Sequence, residues 1–231
     1  MKLRSSKSAV VALCALAIPA ATAGAASAAS TTVTPAGDYA QSALASGSNA
    51  TFTIAGFMTV TCNQSTTSPT TPLGTNTNNQ VPLAPANHNN NGPVSTNINP
   101  PTFKNNGGAC PTNLFGTTAS TTTNSTNGAW KLSGQNGTTI TGSMTIPRAG
   151  AVTTTSNGCT ITIAPSSAAT VSGTWTNGSG GSASRIAISG ASVPVSVSGG
   201  FGCPSASTAS FSANYDVTDV SNSSASIVVG P

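Results

Sequence analysis

The stretch GCTITIAPSSAATVSGTWTN, residues 158–177, alternates apolar with small polar side chains in two runs, Thr160 to Ile163 and Ala169 to Thr176. A period of two sends successive side chains to opposite faces, the mark of a half-buried β-strand. The same alternation recurs in Thr51-Phe52-Thr53-Ile54, Met58-Thr59-Val60-Thr61, Arg185-Ile186-Ala187-Ile188 and Val193 to Val197. Further strands are expected over Ala129 to Ser133, Thr138 to Ile146, Ala169 to Thr176, Ser207 to Val217 and Ala225 to Val229. Gly, Asn and Pro punctuate them. About ten short strands separated by turns predict an all-β protein, an antiparallel β-sandwich or barrel. No stretch after the N-terminal segment has helical periodicity, and with Glu absent and Lys scarce the solvent face of a helix cannot be written.

One segment breaks the pattern. Residues 63–101 are rich in Asn, Thr and Pro, as in Asn87-His88-Asn89-Asn90-Asn91-Gly92. A long tract with little apolar surface to bury is expected to be a disordered loop. The functional alternative is a flexible arm for adhesion or assembly.

The N-terminus reads as an address. Lys2, Arg4 and Lys7 precede an apolar run from Ser8 to Ile18, and Ala26-Ser27-Ala28 supplies a small-residue cleavage pattern. Residues 1–28 are therefore expected to be a signal peptide and 29–231 one secreted β-domain. The run is too short for a permanent span, which needs about 20 apolar residues, and no later segment approaches that length. Cys14 lies inside the run after Leu13, a poor context for lipidation, and the C-terminus carries no sorting motif.

Without the leader the chain holds Lys104, Lys131, Arg148 and Arg185 against Asp38, Asp216 and Asp219, a net charge of +1. Scattered cations do not displace phosphate counterions, so nucleic acid is excluded as a partner. A charge near zero removes colloidal repulsion and favours self-association or adsorption.

Cys62, Cys110, Cys159 and Cys203 remain, even in number and widely spaced, without the short paired spacing of a zinc or redox site. Two disulfides are expected. A short internal echo points to sequential pairing: Cys62 and Cys159 each lie in a Thr/Ile/Val run, and Cys110 and Cys203 each follow a Gly-rich stretch and precede Pro. Cys62 with Cys110 and Cys159 with Cys203 is the predicted connectivity.

The catalytic inventory is short. The single histidine, His88, sits in the low-complexity tract with no evident partner to orient it, so no nucleophile and base arrangement is expected. On a strand, Asp216 and Asp219 point to opposite faces, which argues against a glycosidase pair. Asp216, Asp219 and Asn222 could form only a weak calcium site, and neither a metal nor a cofactor is expected. The chain is read as a non-enzyme.

The aromatic residues are the remaining candidates. Trp130, Trp175 and Tyr215 lie in predicted strands, and with Phe57 they are candidates for a ligand surface, although large aromatics in so aromatic-poor a chain are also what a core requires.

The order TVTPAG (32–37), MTVTC (58–62), TF…GAC (102–110), AWKL (129–132), GCTITI (158–163), VSGTWTNG (171–178) and GCP…ASFSANYDV (202–217) resembles a family of uncharacterised secreted actinobacterial proteins with four cysteines. The resemblance covers most of residues 29–231 and implies no activity. A fainter similarity, in the opening T-x-x-P-x-G, the V-T-C and the Trp strand, is to secreted alkane-oxidation activator proteins. It implies contact with hydrophobic substrates or interfaces.

Together these readings predict a secreted extracellular or loosely envelope-associated protein with a structural, adhesive or surface-interaction role. The alternative is a binding module for a carbohydrate or a hydrophobic, alkane- or lipid-like ligand.

Overall fold

The computed structural model describes residues 29–200 and 202–231, so the expected leader lies outside the described residues. Among the described residues the regular elements are eighteen strands. They are β1 Thr31–Thr34, β2 Ala40–Leu44, β3 Ala50–Ile54, β4 Met58–Cys62, β5 Gln64–Thr67, β6 His88–Asn89, β7 Val94–Ile98, β8 Thr102–Lys104 and β9 Cys110–Pro111. There follow β10 Thr118–Thr123, β11 Trp130–Gln135, β12 Thr141–Ile146, β13 Ala151–Thr155, β14 Thr160–Ile163, β15 Ala169–Thr176, β16 Ser184–Ser198, β17 Thr208–Asp219 and β18 Val228–Gly230. The all-β antiparallel class predicted from the alternation is the observed one.

The two longest strands organise the rest. β17 buries Ala209, Phe211, Ala213, Tyr215 and Val217 at strict period two. β16 buries Ile186 and Ile188 in its first half but Val193 and Val195 in its second, a change of parity. One extra residue between Ile188 and Ala191 produces that change, because Ile188 pairs with Ala213 and Ala191 with Phe211. Gly190 takes a φ of +61°, where a side chain is disfavoured, and its N–H donates to Ser212 Oγ at 2.8 Å. This bulge bends β16 so that its two halves serve different sheets while both face the interior. The runs 185–188 and 193–197 are thus one bulged strand rather than two.

The sheet that takes the first half of β16 and the second half of β17 runs β7-β11-β12-β15-β16-β17-β2-β5-β8, with β15 on Arg185–Ala187 and β2 on Tyr215–Asp219. The small sheet β18-β1-β6 covers it, with Val33, Val229, Ile227, Val81, Leu132 and Trp175 in the apolar layer between. The second sheet runs β9-β10-β13-β14-β16-β17-β3-β4. It closes on itself: Val60 of β4 bridges Thr112 just after β9, and the Cys62–Cys110 disulfide lies beside that bridge. The second disulfide, Cys159–Cys203, ties the β13–β14 hairpin to the β16–β17 connection, so the pairing is the sequential one. The result is a barrel-like wing and a sandwich-like wing sharing one pair of long strands.

The structure corrects the expectation for residues 63–101. This tract is ordered and contributes β5, β6 and β7 to the sheets. Val81, Val94 and Ile98 are buried, and asparagine side chains supply hydrogen bonds that a ladder would otherwise provide. Asn79 is buried, its Oδ1 accepts from Asn99 N at 2.8 Å, and its Nδ2 donates to Thr67 Oγ1 at 3.2 Å. Its backbone joins β2 to the end of β7 through Asn79 N to Asn97 O and Ala40 N to Asn79 O, both 2.7 Å. Asparagine therefore offsets ordering entropy here through satisfied buried polar groups rather than through apolar area.

Candidate functional site

Three of the four candidate aromatics lie in the core. Trp130 is 1% exposed, and its Nε1 donates to Asn124 O at 2.9 Å. Trp175 is buried with Nε1 donating to Asn177 Oδ1 at 2.8 Å, and Gly142 opposite leaves room for its ring and Ile186. Tyr215 is buried with its hydroxyl 2.9 Å from Ser65 Oγ, and burial pushes its pKa up to about 12. Each polar tip is satisfied inside the protein, as buried indoles and phenols require, so none offers a face to a ligand.

Phe57 differs. It is 53% exposed, in the β3–β4 hairpin, where Ala55 and Gly56 both take positive φ and Phe57 N donates to Ile54 O at 2.9 Å. Two consecutive residues with φ > 0 make the tight turn that suits twisted strands. The neighbouring β9–β10 connection presents Phe115, fully exposed at 107% of its reference area. Phe115 occupies the second position of a turn closed by Thr117 N to Leu114 O at 3.0 Å, with Gly116 at a φ of +68°.

Asn113 joins the two loops. Its Oδ1 accepts from Thr59 N at 2.7 Å, its own N–H donates to Thr59 O at 3.0 Å, and its Nδ2 donates to Phe57 O at 3.0 Å. The β13–β14 turn flanks the same end through Ser156 N to Thr118 O at 2.8 Å, and the Cys159–Cys203 disulfide brings in the β16–β17 connection. The stretches 55–59, 112–118, 155–159 and 199–207 contain no charged residue. One end of the barrel wing is thus uncharged, hydrogen-bonded into shape and tipped by two exposed phenylalanines. Phe115 was overlooked in the sequence; its available signal was Leu114-Phe115-Gly116, an apolar pair set against a turn glycine instead of in an alternating strand.

The structure places the sparse polar chemistry elsewhere. His88 is exposed on β6 and, contrary to expectation, has two partners: Nδ1 lies 2.8 Å from Thr32 Oγ1 and Nε2 lies 2.8 Å from Asn90 Oδ1. Thr32 Oγ1 donates its proton to Pro231 O at 2.8 Å, so the imidazole is not placed to take it, and no carboxylate orients the ring. Asp216 faces outward in an ion pair with Arg185 at 2.8 Å, whereas Asp219 faces inward. Asn222 meets Asp219 only through its backbone N–H, 2.9 Å from Oδ1, while its side-chain Oδ1 accepts from Ser224 Oγ at 2.7 Å, and Asp216 lies on the opposite face, so the three side chains do not converge. Among the described residues no group of three His, Cys, Asp or Glu side chains could hold a metal, and no helix is long and apolar enough to cross a membrane.

A cavity of about 60 Å³ lies in the barrel wing, lined by Phe52, Phe103, Met144, Thr121, Thr153 and Phe211 among others. Pockets for organic ligands run to about 300–1,000 Å³, so this is a gap in packing.

No family model matches the chain, and no curated protein or solved structure does. The barrel end therefore stands on its own geometry.

Proposed function

We propose that this protein is a non-enzymatic extracellular or envelope-associated protein that acts by surface contact, with the barrel end bearing Phe57 and Phe115 as its contacting face. The observation that carries this is the presentation of two exposed phenylalanines on turns locked together by Asn113, in loops without charge. Exposed aromatics on rigid supports cost little ordering entropy when they meet a surface. Without charge, the face suits neutral, apolar surfaces rather than anionic ones. That is in keeping with the faint resemblance to alkane-oxidation activators and with a mature net charge near zero. Trp130, Trp175 and Tyr215 are buried, which leaves Phe57 alone of the four candidate aromatics to stack on a sugar and favours the apolar reading.

Burying two phenylalanines contributes about 3–6 kcal/mol before association costs. One molecule would bind weakly, so retention depends on many copies on one surface.

The test is partition of the mature protein onto hexadecane droplets and phosphatidylcholine vesicles at low and high salt. Adsorption should be indifferent to salt and lost in the double variant Phe57→Ser, Phe115→Ser, which leaves the core intact. Equal adsorption by that variant would refute the assignment, and retention on polysaccharide alone would transfer the role to carbohydrate.

A further inference from the structure

An asparagine followed by glycine is prone to lose its side-chain ammonia, because glycine has no side chain to hinder attack by its backbone nitrogen on the carboxamide. The chain holds six such pairs: Asn91-Gly92, Asn106-Gly107, Asn127-Gly128, Asn136-Gly137, Asn157-Gly158 and Asn177-Gly178. As letters they are equivalent, and hydrogen bonding separates them. The reaction needs a free carboxamide and a glycine N–H not committed elsewhere.

Asn177 is the most constrained. Its Oδ1 accepts from Trp175 Nε1 at 2.8 Å and Val229 N at 2.9 Å, its Nδ2 donates to Val229 O at 2.8 Å, and Gly178 N donates to Ser184 Oγ at 2.8 Å. Asn106 Oδ1 accepts from Asn63 Nδ2 at 2.9 Å, and Gly107 N donates to Gln64 Oε1 at 2.8 Å. Asn127 Oδ1 accepts from Arg148 Nη2 at 2.9 Å, and Gly128 N donates to Ser125 O at 3.2 Å. Asn157 Oδ1 accepts from Thr155 Oγ1, and Gly158 N donates to Thr155 O at 3.0 Å. Asn136 keeps its amide on Ser30 O at 3.0 Å.

Asn91-Gly92 has neither restraint. It lies in the β6–β7 connection, where the two preceding asparagines are both in use. Asn89 Oδ1 accepts from Asn91 N at 3.1 Å, Asn89 Nδ2 donates to Pro93 O at 2.9 Å, and Asn90 Oδ1 lies 2.8 Å from His88 Nε2. Asn91 is exposed, and its side chain hydrogen-bonds to no described residue. Gly92 is buried, and its N–H donates to no described acceptor. An unpaired buried N–H is costly, and ring closure at this nitrogen removes it.

We propose that Asn91 is a site of spontaneous, irreversible modification, the one of the six pairs at which succinimide formation proceeds in the folded protein. The Gly92 nitrogen bonds to Asn91 Cγ while the Cγ–Nδ2 bond breaks, and the proton of the Gly92 N–H leaves with Nδ2 as ammonia. Water then opens the ring at either carbonyl to give aspartate or isoaspartate, and the acid formed passes its proton to the ammonia. The product is the first Asp, Glu, Lys or Arg charge within residues 63–101 and takes the net charge of residues 29–231 from +1 to zero. The isoaspartate route also lengthens by one carbon the backbone of the turn that joins β6 to β7.

Peptide mapping by mass spectrometry tests this on the disulfide-intact mature protein held at 37 °C and pH 8, with the reduced chain in urea as reference. In urea the six pairs should react at similar rates. In the folded protein Asn91 should keep most of that rate and lead each of the other five by about 5- to 10-fold, the ratio that one retained hydrogen bond imposes. Asn91→Gln should remove the early release of ammonia. Equal protection of Asn91 and Asn177 in the folded protein would overturn the proposal, as would unchanged ammonia release from Asn91→Gln. The β6–β7 connection is remote from the β3–β4 and β9–β10 turns, so neither result bears on the function proposed above.

Discussion

Asn113 and Thr59 exchange two hydrogen bonds across the mouth of the barrel wing, Thr59 N to Asn113 Oδ1 at 2.7 Å and Asn113 N to Thr59 O at 3.0 Å. The asparagine side chain acts as one more backbone rung beyond the Val60 to Thr112 bridge, and it carries the β9–β10 turn up to the β3–β4 turn.

Replacing Asn113 by Ala should therefore loosen both phenylalanine-bearing turns while leaving the core untouched. Two side-chain hydrogen bonds at an exposed site contribute about 1–2 kcal/mol, which a shift in the urea midpoint would report. Amide exchange should accelerate at Phe57 and Thr117, whose N–H groups close these turns, and remain slow at Ile161 and Val195. Uniform acceleration across the barrel would show that Asn113 supports the whole fold instead.

The bulge at Gly190 gives a second prediction. Gly190→Ala forces a side chain into the left-handed region at φ +61°, with a cost of about 1–2 kcal/mol. Gly190→Asn should cost less, since asparagine tolerates that region. No clash contributes, because the nearest atom to an added Cβ is Ser210 Oγ at 3.8 Å. Equal stability of the alanine variant and wild type in denaturant would show that β16 can cross between sheets without this conformation.

Tyr215 predicts the alkaline limit of stability. Burial disfavours the phenolate, so the folded-state value of about 12 lies above the ordinary 10.0. The raised value means the contribution is complete below pH 10 and is lost as pH climbs from 10 towards 12, by up to roughly 3 kcal/mol. Denaturant midpoints across that window should fall in the wild type. Tyr215→Phe should be weaker at neutral pH, having left Ser65 Oγ without its partner, but flatter above pH 10. A variant that declines in parallel with wild type would assign the alkaline transition to other groups.

The Cys62–Cys110 bridge sits at the seam where β4 rejoins β9, closing a separation of 48 residues. The double variant Cys62→Ala, Cys110→Ala should lose about 2–5 kcal/mol, part of it through a less constrained unfolded chain. Limited proteolysis should then cut first within residues 105–117, where few ladder bonds remain. Unaltered proteolysis and stability would mean that the Val60 to Thr112 bridge closes the barrel unaided.

The all-β class and the two disulfides were readable along the chain because both arise from local signals: alternation at period two in runs such as Thr160 to Ile163, and an even, spaced set of cysteines. Threonine blurred the rest. In β10 (TASTTT) and β13 (AVTTT) it stands on both faces, buried at Thr153 and Thr155 and exposed at Thr122 and Thr154, so no alternation survives in the letters. The ordering of residues 63–101 was equally hidden, since Asn79, Asn99 and Thr67 become structural only when strands far apart in sequence supply their hydrogen-bond partners. Phe57 was legible as a candidate, whereas its companion Phe115 and the burial of Trp130, Trp175 and Tyr215 were decided by closure of the sheets. Strand propensity and cysteine spacing act over a few residues and can be read from them. Exposure and the clamp from Asn113 to Thr59 depend on long-range contacts, and these exist only after the chain has closed its loops.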